Sequence, residues 1–256
     1  FAAENAVGFR GIESGADEFY HFDKASPNCY VGAKNGARMD MRGVEAQIDD
    51  GIMRKLVSSE DAKRYTQPNP IRHAIFPYRS DGKTAVLLSA AELQANYPLC
   101  QKWFETHEQN LRQRDTGAMN LDLGWYAYTR PMNLHLQEKP KIGIPQTVQN
   151  LNGFFDSGGE FCFNNVRVGG ILVPDEITGW FLLGVINSPV PNWVFKRIAR
   201  PKEGGYYEAN KQFIALLPIP DATPEQRVDI GTRARELQEL HTCRRDTIAK
   251  LDQRLH

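Results

Sequence analysis

Residues 177–220, ITGWFLLGVINSPVPNWVFKRIARPKEGGYYEANKQFIALLPIP, decide how this chain reads. An apolar run from Trp180 to Ile186 stops at Asn187-Ser188-Pro189, the polar and imino residues that end helices. A second apolar-aromatic segment carries Trp193, Val194, Phe195 and Ile198, and Gly204-Gly205 breaks the chain after it. Phe213–Leu217 then reads as a strand, cut off by Pro218 and Pro220. No residue here is a nucleophile, a metal ligand or a phosphate cradle. The stretch reads as a helix, a loop and a strand that anchor a recognition surface.

The stretch feeds a long helix. Thr223 is a suitable N-cap, Pro224 suits the first helical position, and Glu225 and Asp229 lie near the positive end of the dipole. The helix is expected to reach about Leu255. Its stripe runs through Ile230, Ala234, Leu237, Leu240 or His241, Ile248, Leu251 and Leu255, with Arg244-Arg245 interrupting it. That pattern suits a docking helix better than a full coiled coil.

Upstream, the pattern is strand-rich. Phe1–Asp23 reads as strand, turn, strand around Gly11–Gly15. Ala25–Gly51 reads as irregular with one short strand, and Ser58-Ser59-Glu60-Asp61 as a one-turn helix start. Ile71–Tyr78 reads as a strand. Ser89 and Glu92 form a capping-box pattern, and a second helix runs from Pro98 to about Arg114. Gly124–Tyr128 reads as extended, with one of Trp125 and Tyr126 in the core and the other outside. Lys141–Pro145 is a strand fenced by prolines; Gly153–Gly159 reads as a turn, and Glu160–Val168 alternates like a hairpin strand. The fold class is α+β: a mixed, strand-rich recognition domain over 1–222 and the helix over 223–256.

Composition narrows the function. The 256 residues are 41% hydrophobic and 24% charged, as in an ordinary folded protein. Thirty-one basic residues balance 31 acidic ones, so any grip on nucleic acid is local or shared with a partner domain. Cys29, Cys100, Cys162 and Cys243 show no metal or disulfide spacing, which points to free thiols in a reducing cytoplasm. No 18-residue apolar run predicts a membrane span. A chain that begins at Phe1 without a signal peptide is expected to be a fragment of a longer protein. Nucleotide-binding, zinc-protease and serine-hydrolase motifs are absent. His73, His107 and His135 stand alone, and the acid pairs Asp49-Asp50 and Asp115/Asp122 read as solvated faces.

Several segments, in order, resemble a known family. Gly11-Ile12-Glu13-Ser14-Gly15-Ala16-Asp17-Glu18-Phe19 is similar to its opening Gly-Ile-x-Thr-Gly-x-Asn-x-Phe motif. Leu56–Tyr65 followed by Ile75-Phe76-Pro77-Tyr78 resembles a second block, departing at Ser58-Ser59, where the family has arginine and glycine. Tyr97-Pro98 before Leu111-Arg112-Gln113-Arg114, then Trp125-Tyr126, Lys141–Pro145, Leu182–Ser188 and Leu217–Pro220 continue the series. Together they resemble the C-terminal specificity (target recognition) domain of TaqI-like adenine-specific DNA methyltransferases and fused restriction-modification enzymes.

The resemblance implies a non-catalytic module that reads double-stranded DNA. It places an S-adenosylmethionine-binding methyltransferase domain upstream, with or without an endonuclease, and no cofactor in this fragment. A base-modifying enzyme must extrude its target and needs a domain that holds and identifies the site. Basic residues near the strand-rich blocks are the candidate DNA contacts: Arg64, Tyr65, Arg72, Arg79, Arg130 and Lys141. A protein-interaction module with a docking C-terminal helix and no DNA binding is the alternative. A stand-alone enzyme lacks its motifs.

Overall fold

The computed structural model describes residues 7–33 and 41–255 and has an α+β architecture. Two compact units are interleaved along the chain. One comprises Phe1–Gly11, Val57–Asn69 and Glu138–His256; the other comprises Ile12–Leu56 and Pro70–Gln137.

The first unit is built on a four-stranded antiparallel sheet. Its spatial order is Val7–Arg10, Val168–Leu172, Lys141–Pro145 and Phe154–Asp156. The apolar run becomes the helix Glu176–Ile186, started by Asp175, whose carboxylate accepts from the Thr178 amide at 2.8 Å. Trp180, Phe181, Leu182, Leu183 and Ile186 are all buried, so apolar residues cover most of its surface. Two partners explain this: the helix packs on the sheet strands and on the long helix Pro224–Leu255. Each such side chain contributes about 1.5–3 kcal/mol on burial.

The long helix starts as expected. Thr223 and Gln226 cap each other, with Gln226 N to Thr223 Oγ1 at 3.3 Å and Thr223 N to Gln226 Oε1 at 2.9 Å. Its buried line is not the predicted stripe. Gly231, Ala234 and Gln238 face inward, while Leu237, Leu240, Ile248, Leu251 and Leu255 are exposed. Close approach selects the small residues: a Cβ on Gly231 would lie 3.2 Å from that of Trp180. Gln238 docks the helix to a strand by copying a backbone. Its Oε1 accepts from Phe155 N and its Nε2 donates to Phe155 O, both at 2.8 Å. Asn187, at the end of the buried helix, does the same for Gly153, at 2.9 and 3.0 Å. Amide side chains thus pair with backbone groups at and beside the strand, although the Gly153 carbonyl also accepts from Tyr65 N at 3.0 Å.

Phe213–Leu217 is not a strand. Lys211–Ile214 is a helical turn, with Asn210 O accepting from Phe213 N and Ile214 N, and Ile214 and Leu217 are buried at helical spacing. A small sheet instead joins Thr147–Val148, Tyr206–Glu208 and Pro201–Lys202. Pro189–Ile198, expected as part of a loop, is a helix. Phe154–Asp156 is a strand where a turn was expected. The predicted strand Glu160–Val168 is split by a turn into Phe161–Phe163 and Val168–Leu172.

The second unit carries antiparallel strands in the order Met53–Val57, Arg72–Ile75, His21–Ser26, Cys29–Gly32 and Glu45–Gln47. Two strands thus replace the one expected over Ala25–Gly51, and positions 34–40 lie outside the described residues. The opening motif is no hairpin: Val7–Arg10 pairs with Val168–Leu172, and Asp17–Tyr20 is a helical turn. Ile71–Tyr78 splits, and Tyr78–Ser80 forms its own hairpin with Ala85–Leu87. The Ser89–Glu92 capping box starts the helix Ala90–Asn96. The following helix divides at His107 into Pro98–Thr106 and Glu108–Arg112. Asp49 and Asp50 are structural. The Asp49 carboxylate accepts from Leu99 N and Cys100 N at 3.0 Å each, and Asp50 accepts from Tyr30 Oη at 2.6 Å. In the first unit, Ser58–Asp61 is a turn, closed by Asp61 N to Ser58 O at 3.1 Å, not a helix.

One buried histidine should give the second unit a pH response. His21 is 5% exposed, and its Nε2 has no hydrogen-bond partner among the described residues. Burial lowers its pKa from the ordinary 6.5, Asp17 at 3.6 Å opposes that shift, and Arg72 adds to it. The unfolded chain therefore binds the proton more readily. Its contribution to stability is whole above 6.5 and declines as pH falls below it. Burial also lowers His73 and His107, which add to the same slope. Urea midpoints should fall on acidification from about pH 7.5 to 5, and His21→Phe should flatten that dependence. An equal slope in the variant would remove His21 from the account.

Candidate nucleic-acid interface

In the second unit, the strands set Arg72 opposite Asp23, and their side chains meet at 3.2 Å. Arg79 leaves the Tyr78–Ser80 strand and pairs with Glu92, the capping-box acid. Hydrogen bonds from the Ser89 amide and hydroxyl, then Arg79, hold the Glu92 carboxyl below its ordinary value. Arg130 pairs with Glu13 at 2.6 Å beside a bridge joining their backbones. The Arg79 and Arg130 side chains are 58% and 63% exposed. Tyr128 N donates to Tyr78 Oη at 2.6 Å, which brings the two segments carrying these arginines together.

The first unit holds the other three candidates, and two of them are buried. Lys141 lies on a central strand, 0% exposed, with its Nζ 2.6 Å from the Asp156 carboxylate. Burial lowers its pKa, and Asp156 opposes that shift. A cation so enclosed cannot meet a phosphate, so Lys141 is withdrawn from the DNA-facing set. Tyr65 is 7% exposed, lies against His241 and has φ +51°. Burial raises its phenol pKa, and its role is packing. Arg64 donates to Asn187 O at 2.5 Å and lies over the Tyr65 ring, which ties it to the end of the buried helix. The expected cluster of Arg64, Arg72 and Arg79 therefore divides: Arg64 belongs to one unit and the other two to the second. Trp125 and Tyr126 are both core residues, because Gly124–Tyr128 is a series of turns and the alternation of a strand does not apply.

Sequence reasoning missed a basic end of the four-stranded sheet. Arg10 closes its strand opposite Gly169, and Arg167 precedes the neighbouring strand. The Arg167 carbonyl accepts from Gln146 N, and the Gln146 carbonyl accepts from Ala209 N, both at 2.9 Å. Lys211 follows, its stem packed over Gly8. All three basic residues are exposed. They are far apart in sequence, and only the turn-forming Asn164-Asn165 marked the place locally.

Among the described residues, no group of three or more His, Cys, Asp or Glu could hold a metal ion, and the four cysteines are free. No helix there is long and apolar enough to cross a membrane. Comparison with protein-family models and with curated proteins finds no match to this chain.

Proposed function

We propose that this chain is the sequence-reading module of a DNA adenine methyltransferase system. Its partner is double-stranded DNA, and S-adenosylmethionine belongs to a methyltransferase domain upstream. The observation that carries the reading is the pair Arg79 and Arg130. Each guanidinium is mostly exposed and engages one carboxylate, from Glu92 or Glu13. Exposed pairs of this kind contribute about 0–1 kcal/mol, so a phosphate or a guanine edge can replace the carboxylate at little cost. The ordered motif resemblance supports the same reading.

Arg79→Ala and Arg130→Ala are each expected to flatten the slope of log K against log salt by about 0.9 on a duplex carrying the site that the parent enzyme modifies. An arginine that also reads guanine should cost about 1–3 kcal/mol of discrimination at one base pair. Unchanged affinity and slope in both variants would refute the assignment.

A second reading has its own observation. Ile248, Leu251 and Leu255 form an exposed apolar line on the last turns of the long helix, which suits a protein-docking helix without DNA. Duplex binding that is absent at low salt would favour it.

A further inference from the structure

We infer that the turn Asn164–Arg167 is a base-contacting element, with Val166 as an apolar tip that reads a thymine methyl group. The inference rests on the DNA reading above and deepens it. Val166 has φ +54°, in the left-handed region where a β-branched residue is a true outlier. It is also 65% exposed, so core packing does not impose that conformation.

The turn is over-determined around it. Arg167 N and Val168 N both return to Asn164 O, at 3.2 and 3.1 Å, and Asn164 N donates to Val57 O at 2.9 Å. Gly11 closes the other side: a Cβ there would sit 2.1 Å from the Phe163 carbonyl oxygen. A position of this geometry ordinarily takes glycine or asparagine, and asparagine stands one residue earlier. Strain held by its surroundings at an exposed point is a mark of a functional position.

The neighbours fit the same partner. Arg167 is the next residue, and Arg10 ends the adjoining strand; both are exposed. Cations that bind phosphate position a module, and a short apolar group beside them can read a base. Valine is stiff about χ1 and of a size with the threonine and alanine methyls that contact thymine in the major groove. Any site containing a target adenine offers such a methyl on the opposite strand.

The test uses the full-length enzyme, a duplex carrying its modification site, and three variants. Val166→Asn removes the apolar tip and relieves the backbone, so its melting temperature should rise by about 2–4 °C. Its affinity should nonetheless fall about tenfold. Val166→Ile keeps the tip and should bind within about twofold of the parent. Arg167→Gln should flatten the salt slope by about 0.9.

Replacing each thymine in turn by deoxyuridine should reveal one position where the parent protein loses affinity and Val166→Asn loses none. Identical deoxyuridine profiles for parent and Val166→Asn, with unchanged affinity, would overturn the inference while leaving the DNA reading intact. A parent protein that does not bind the duplex would overturn both.

Discussion

Arg114→Met is expected to destabilise the second unit by about 4 kcal/mol, among the largest losses available to a single substitution here. Arg114 is 7% exposed and meets four carbonyl oxygens: Leu111 at 2.8 Å, Ser14 at 2.8 Å, Trp125 at 2.7 Å and Ala127 at 2.9 Å. Its guanidinium also lies over the Tyr20 ring, 5.4 Å from the centroid. Methionine keeps the apolar stem but donates to none of them; Ser14 O retains the Thr129 amide at 3.2 Å, and the other acceptors lose about 1–3 kcal/mol each where water does not reach them. Lysine keeps the charge but not the planar fork, so Arg114→Lys should recover only part of the loss. Arg112, two residues earlier, serves as the control. It is more exposed, pairs with Glu108 at 2.7 Å, donates to Leu121 O and lies over the Trp125 ring, so Arg112→Ala should cost less, about 1–2 kcal/mol. Urea unfolding followed by near-ultraviolet circular dichroism would report both, since Trp125, Tyr126 and Tyr128 surround the site. A loss for Arg114→Met no larger than that for Arg112→Ala would disprove the clamp.

The carbonyls that Arg114 gathers explain what could be read from the sequence. Ser14 belongs to the opening motif, Trp125 to the aromatic pair and Arg114 to the leucine-x-x-arginine run. The Ile-Phe-Pro-Tyr block joins them, because Tyr128 Oη donates to Ile75 O at 2.5 Å and Tyr78 Oη accepts from Tyr128 N. These four segments thus meet in the second unit. Their local folds were misread, since the opening motif is no hairpin and Trp125-Tyr126 no strand. Capping was legible because it is local: Ser89 with Glu92, and Thr223 with Pro224, act within one turn. What could not be read was long-range. Nothing near Lys141 announces that Asp156 will face it across two strands, and nothing near Arg10 announces Arg167. Gln238 was illegible in another way, since a polar residue on a helix normally faces water, and only the unpaired strand groups of Phe155 draw it inward. Hydrophobic spacing therefore favoured Leu237 and Leu240, which the structure leaves exposed.

Breaking the Lys141–Asp156 pair from either side should cost about 3–5 kcal/mol, because one buried charge is left without its partner. Both side chains are wholly buried, and the Asp156 carboxylate also accepts from Glu160 N at 2.9 Å and Phe161 N at 3.1 Å. Asp156→Asn keeps an acceptor for only one of those amides, turns its NH2 toward the other, and deprives the ammonium group of its carboxylate. Lys141→Met leaves the carboxylate with its amide donors alone. The double variant Lys141→Met/Asp156→Asn carries no buried charge and should recover most of the loss, giving a coupling energy of about 2 kcal/mol or more. A pH series adds a signed check. Burial lowers the Lys141 pKa, and in Asp156→Asn the opposing carboxylate is gone. The folded state then resists the proton that the unfolded chain still binds up to about 10.5, so the variant's stability should rise with pH in the alkaline range, more steeply than the parent's. A coupling energy near zero would show that the pair is not what holds these strands. The double variant also separates structure from recognition. On the proposed DNA reading, removal of the enclosed Lys141 in that background should leave the salt slope of duplex binding unchanged, whereas Arg79→Ala and Arg130→Ala should each flatten it.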